Sequence, residues 1–386
     1  MTSNRIKIRL KEFDEVLQCE EIDLKTLRSL CFHGIPDEGN YRSICWRLLL
    51  GLLVPKKSEW DSILRKKREL YQQFIDEMIV PPGQLPSADH PLNANPESAW
   101  GAYFRDNEVL LQIDKDVRRL CPDISFFQQA TEYPCGLAVN GRGERRLHNR
   151  VAPEGLKSAN VERKGLGASK ITLTVKRATE DYQAMAEGQE AHWEVVQRIL
   201  FIYAKLNPGQ GYVQGMNEII GPIYHVLASA SDPIHREFAE ADTFFCFTHL
   251  MSEIRDFFIK TLDETIGGIK AMMSKVNEEL KVEDFDVWQL LKSQQLFPQY
   301  YSFRWITLLL SQEFPLPDVV RIWDTLFADE KRFDFLVHIC CAMIITLRDQ
   351  IICSDFASNV KLLQNFPPID IQVILNKAAI LAKKYI

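Results

Sequence analysis

The stretch AHWEVVQRILFIYAKLNPG, running from Ala191 to Gly209, decides the fold class. Trp193, Val196, Leu200, Tyr203 and Ala204 recur at spacings of three, four and seven residues, which gathers them on one face of a helix. Pro208-Gly209 stops it, because proline has no backbone N–H to continue the ladder. The spacing predicts a helix over 179–206. Working outward, the same period predicts helices downstream at 217–230, 237–258, 263–280, 286–291, 300–312, 318–327, 335–348 and 369–384. Upstream it predicts 23–32, 41–53, 59–80 and 107–121. Asp23 is placed to cap the first of these, and Gly34 with Pro36 to end it. Alternating apolar–polar runs are few, and no repeat of 20–50 residues is visible. The expectation is an all-α, multi-helix domain with no significant β-sheet.

Two segments interrupt this pattern. Residues 81–96 are rich in Pro, Ser, Asp and Asn, the composition of a loop. Residues 141–170 hold five glycines and eight Lys/Arg against three Glu, with few large apolar side chains. Such a segment is expected to be a mobile basic insertion outside the core. The expected organisation is a helical lead-in over 1–30, the main domain over 31–347, and a helical extension over 348–386 packed on it.

Composition narrows the function. The chain has 386 residues, 46% hydrophobic and 25% charged, which is ordinary for a globular protein with a large core. A net charge of −6 argues against a general nucleic-acid binder, which carries a basic footprint. The nine cysteines are scattered with no Cys-x-x-Cys pair, as expected of small buried residues in a reducing compartment. The eight histidines show no metal-ligand spacing, so no metal site is expected. The opening MTSNRIKIRLKEFDE is charged throughout, unlike a signal peptide. The longest apolar run, 335–347, is short of the roughly 20 residues that span a bilayer. A cytoplasmic protein with only peripheral membrane contact is expected.

Three segments carry candidate chemistry: Gly34-Ile35-Pro36 followed by Arg42-x-x-x-Trp46; Ile113-Asp114-Lys115-Asp116-Val117-Arg118-Arg119; and Gly211-Tyr212-Val213-Gln214-Gly215-Met216-Asn217. Singly, each has an ordinary reading. Arg42 and Trp46 share a helix face at i, i+4, the spacing of a guanidinium over an indole. Asp116 and Arg119 are spaced as a surface ion pair on a helix. Gln214 alone reads as a loop residue. Two weaker signals are set aside. Gly165-Leu166-Gly167-Ala168-Ser169-Lys170 lacks the Gly-Lys-Ser/Thr order of a phosphate loop, and His192-x-Glu194 lacks the cysteines of a zinc deaminase.

Together and in this order, the three segments resemble the TBC domain of Rab GTPase-activating proteins. Tyr301-Ser302-Phe303-Arg304-Trp305, and Glu313 to Asp318 followed by Trp323-Asp324, resemble the same family, so the resemblance spans residues 31–347. It implies a helical activator that is not a stand-alone enzyme, with a GTP-bound Rab as partner. It also implies that Arg119 is an arginine finger and Gln214 a glutamine finger. Arg118 leaves that first assignment ambiguous, and the family's spacing from Asp116 favours Arg119. A planar cation suits the charge that spreads over the transferred phosphoryl group, and a carboxamide can orient the attacking water. Supporting roles fall to Asp116, holding Arg119 ready; to Gly215, letting backbone approach the nucleotide; to Arg42 and Trp46, as a buttress; and to Tyr212 and Asn217. No cofactor is implied for the chain itself, since GTP and magnesium belong to the Rab. The alternative is a non-catalytic TBC-fold effector or scaffold. Two features depart from the family: Leu120 where Ser or Thr often follows the finger, and the long basic insertion, suited to a GTPase or an anionic membrane surface.

Overall fold

A computed structural model describes residues 3–80, 95, 98–139, 146–151, 159–164, 168–173, 185–259, 262–263 and 268–383. Among these, the helices in chain order are α1 (Ser3–Leu17), α2 (Leu24–Phe32), α3 (Tyr41–Leu49), α4 (Trp60–Met78), α5 (Ala99–Val117), α6 (Gly136–Val139), α7 (His192–Leu206), α8 (Met216–Ala228) and α9 (Pro233–Glu237). They continue as α10 (Ala239–Ile254), α11 (Ile269–Glu283), α12 (Phe285–Ser293), α13 (Ser302–Thr307), α14 (Leu316–Ala328), α15 (Arg332–Thr346), α16 (Arg348–Ile352), α17 (Phe356–Gln364) and α18 (Ile371–Leu381). The one sheet among the described residues is a hairpin of β1 (Ala159–Lys164) antiparallel to β2 (Ala168–Leu173). The all-α expectation therefore holds. The hairpin falls partly in the basic segment expected as an insertion, where 141–145, 152–158 and 165–167 lie outside the described residues. Most of the loop expected at 81–96 lies outside them too.

Several boundaries differ from the periodicity, each for a local reason. The helix expected from 107 starts at Ala99, because the Ser98 hydroxyl accepts the Gly101 N–H at 2.9 Å and caps it. The helix expected from 179 starts at His192, where the Glu194 carboxylate accepts the Ala191 N–H at 2.7 Å. Residues 185–191 are not helical, and 179–184 lie outside the described residues. The helix expected to 312 ends at Thr307. Leu309 and Leu310 take φ of 49° and 65°, a left-handed turn that no helix can continue through.

The chain divides into two compact units, 1–68 with 218–386, and 69–217. In the first, α14 packs on α2 and α3, and α15 lies against α11 and α18. α15 is buried at ten positions from Arg332 to Ile344, which explains its nearly unbroken apolar sequence. Trp46, Trp323 and Phe327 cluster in this core, with the Trp46 and Phe327 rings edge-on at 5.0 Å. The fully buried Arg47 and Asp242 pair at 2.8 Å, and Arg68 closes on the same carboxylate at 2.9 Å. Two guanidiniums thus give this buried carboxylate three charge-assisted hydrogen bonds, reaching both of its oxygens.

Histidine 225 gives this unit a pH signature. Burial, and then the Arg42 charge, push its imidazole down to about 4. An unfolded chain protonates that ring near pH 6.5, so below this value the unfolded state binds the extra proton. Its contribution to stability is complete above about pH 6.5 and is lost progressively as the pH falls towards 4, amounting to about 3 kcal/mol. Urea unfolding across this range is expected to show a shallower pH dependence for His225→Gln than for wild type. Equal slopes would refute the assignment.

In the second unit α5 packs on α7. α7 is buried at every position from His192 to Ala204, so its polar residues must find partners inside. Glu190, just ahead of it, is nearly fully buried. Its carboxylate binds Arg198, with one N–O contact at 3.1 Å, and accepts the Cys135 N–H at 2.9 Å.

Candidate functional site

The last turn of α5 presents two carboxylates and two arginines within six residues, and each carboxylate takes one arginine. Asp116 is 6% exposed; one of its oxygens accepts Arg119 Nη2 at 2.7 Å and the other accepts the Tyr212 hydroxyl at 2.7 Å. Arg119 Nε donates to the Lys115 carbonyl at 3.1 Å. Asn217 Nδ2 donates to the Asp116 carbonyl at 3.3 Å, joining the Arg119 N–H that reaches the same oxygen at 3.1 Å. Asp116, Arg119, Tyr212 and Asn217 are therefore one hydrogen-bonded cluster in the second unit.

The two arginines differ in surroundings. Arg118 Nε donates to Asp114 at 2.8 Å, and its guanidinium lies 4.8 Å from the Trp193 ring centre; 18% of its side chain is exposed. For Arg119 the figure is 58%. Lys115 and Asp116 hold Arg119 through Nε and Nη2, while more than half of its side chain stays in solvent. Leu120, where the sequence lacked a hydroxyl, is fully buried and belongs to the core.

The loop carrying Gln214 joins α7 to α8. Gly211 at φ 65° and Gly215 at φ 103° bracket it, and both angles suit glycine because any Cβ would strain them. Between them Tyr212 turns inward to Asp116, while Gln214 is exposed. Among the described residues the Gln214 carboxamide has no hydrogen-bond partner. Its donor and acceptor are thus both available to an incoming molecule. Gly215 itself is buried against the start of α8.

Arg42 and Trp46 lie in the first unit, and their pairing differs from the expected guanidinium over an indole. Both donate to Asp324, which is fully buried: Trp46 Nε1 at 2.8 Å, and Arg42 Nε and Nη2 at 3.1 Å. The Ile35 N–H completes the set at 2.9 Å. A buried carboxylate is costly unless several donors reach it, which favours this arrangement over a cation–π contact. Burial raises the Asp324 carboxyl above its ordinary value, opposed by the Arg42 charge. Burial alone would depress Arg42; the opposing pull of Asp324 and Asp37 leaves it raised. Sequence reasoning met Asp324 only as part of a family resemblance, gave Asp114 no role although its i, i+4 spacing to Arg118 was legible, and missed Gln197, which carries no local signal. No group of side chains suited to a metal occurs among the described residues, and none of the described helices is long and apolar enough to cross a membrane.

The chain as a whole is similar to known proteins. Residues 144–352 match the model of the Rab-GTPase-TBC domain, more than half of the chain, and the chain belongs to that family. It is 52% identical to human TBC1 domain family member 13, over 96% of this chain and 97% of the human protein. It is 26% identical to human TBC1 domain family member 5 over 96% of this chain, but that match covers 45% of the relative. The crystal structure of the Ypt/Rab-GAP domain of Gyp1p superposes with a TM-score of 0.69 over 98% of both chains, at 23% identity, and so shares the fold. Gln214 lies inside the family-model match and Arg119 before its start.

Proposed function

We propose that this chain binds a GTP-loaded Rab GTPase and accelerates hydrolysis of its GTP, Arg119 and Gln214 entering the nucleotide site in trans. The observation that carries this reading is the presence, beside one hydrogen-bonded frame, of an arginine pre-held by Asp116 with more than half of its side chain exposed and of an exposed carboxamide on the loop that Tyr212 ties to Asp116. Asp116 holds Arg119 before docking, so less conformational entropy is lost on binding. The guanidinium stabilises charge developing on the transferred phosphoryl group, and the carboxamide orients water. GTP and magnesium arrive with the Rab, and the chain acts as an activator rather than as an enzyme alone. On this reading the activating domain spans residues 31–347, with helical flanks at 1–30 and 348–386. The protein works in the cytoplasm and meets membranes through its Rab.

Single-turnover GTP hydrolysis by a panel of purified Rabs, with and without the chain, tests this. Acceleration of one or a few Rabs by about 10³-fold or more is expected, the scale of a finger supplied in trans to other GTPases. Tight binding of a GTP-loaded Rab with no acceleration would replace the activator with a scaffold.

A further inference from the structure

Two adjacent arginines end α5, and only one of them faces solvent freely. The brace that sorts them involves residues outside the family-like motifs. Asp114 accepts Gln197 Nε2 on one oxygen at 2.8 Å and Arg118 Nε on the other at 2.8 Å. Arg118 then lies over Trp193 at 4.8 Å. Trp193 and Gln197 are four residues apart on α7 and so share one of its faces. Gln197, Asp114, Arg118 and Trp193 thereby close a ring that ties the end of α5 to α7 at two points.

We propose that Gln197, acting through Asp114 and Arg118, is a positioning residue that sets where Arg119 leaves α5. Three observations carry it. Arg118 is drawn onto α7, and the next residue points about 100° further round a helical turn, which takes Arg119 away from α7 and into solvent. Of the backbone bonds in this turn, Arg118 N–H to Asp114 O and Leu120 N–H to Val117 O are 3.3 Å, longer than usual, and Arg119 N–H to Asp116 O is 3.1 Å, so side chains add support where two of the three are long. Gln197 is 1% exposed, and its Oε1 has no hydrogen-bond partner among the described residues. A buried orphan oxygen is a cost that an apolar side chain of similar size would avoid. What the amide provides in return is one N–H, given to Asp114.

The test combines hydrogen exchange with kinetics on the full chain, using Gln197→Met and Arg118→Met, which break the ring at opposite ends. Exchange of the 114–121 backbone amides is expected to quicken about tenfold in both variants, with melting close to wild type for Gln197→Met. The maximal rate of Rab-bound GTP hydrolysis is expected to fall about tenfold, equivalent to about 1.4 kcal/mol of barrier, with the KM for the GTP-loaded Rab unchanged. Unchanged exchange in both variants would overturn the proposal. So would a loss of kcat that tracks KM and thermal stability, which marks ordinary packing. The kinetic arm rests on the activator reading. If wild type accelerates no Rab, that reading fails by itself, and the exchange arm alone decides whether the brace orders the turn.

Discussion

Replacing Arg119 by alanine is expected to slow Rab-bound GTP hydrolysis by about 10³-fold at saturating activator, the scale on which trans arginines act. The chain's own fold should not notice. The Arg119 side chain is 58% exposed, and its loss leaves Asp116 still bound to the Tyr212 hydroxyl. Arg119→Lys is expected to rescue little, because an ammonium lacks the planar fork that meets phosphoryl oxygens. Gln214→Ala removes an exposed, unpartnered carboxamide and is expected to cost about 10²–10³-fold, the range for losing one donor at a transition state. Arg118→Ala is the control. If it proves slower than Arg119→Ala, the finger is Arg118, and the sorting by Asp114 and Asp116 has the opposite meaning. Single-turnover rates with each variant, against binding of the GTP-loaded Rab measured separately, distinguish lost chemistry from lost docking.

The second large effect is on stability. Asp324→Ala is expected to cost about 3–5 kcal/mol, the penalty for removing one partner of a buried ion pair. The carboxylate is fully buried and receives four N–H groups from three residues: Ile35, Arg42 and Trp46. Alanine removes the acceptor from all of them; Arg42 Nη2 keeps the Ile35 carbonyl, but the Trp46 indole has no solvent to turn to. Asp324→Asn keeps the shape and one acceptor oxygen, so it should cost less than alanine while leaving Arg42 with only the exposed Asp37 as countercharge. Urea unfolding of both variants measures this. A loss below about 1 kcal/mol for alanine, the worth of an exposed salt bridge, would show that Asp324 does not hold this core together.

The sequence by itself determined the class of fold, since helical periodicity and stop residues are local properties that survive without tertiary context. It also determined the motif order that points to Arg119 and Gln214; that Gly211 and Gly215 both take left-handed backbone around Gln214 came from the structure. What only the tertiary structure decided involves groups far apart in the chain. Asp324 collects Arg42 and Trp46 from 282 and 278 residues away, a pairing that no local spacing announces. α13 stops where Leu309 bends left-handed so that its carbonyl can accept Trp323 Nε1 at 2.9 Å, a bond from another helix that overrides the apolar period. The different surroundings of Arg118 and Arg119 were likewise set from outside, by Trp193 and Gln197 of α7 and by Tyr212. Periodicity reports which face of a helix is apolar. Which polar groups share a buried partner depends on desolvation, and desolvation exists only once the elements have packed.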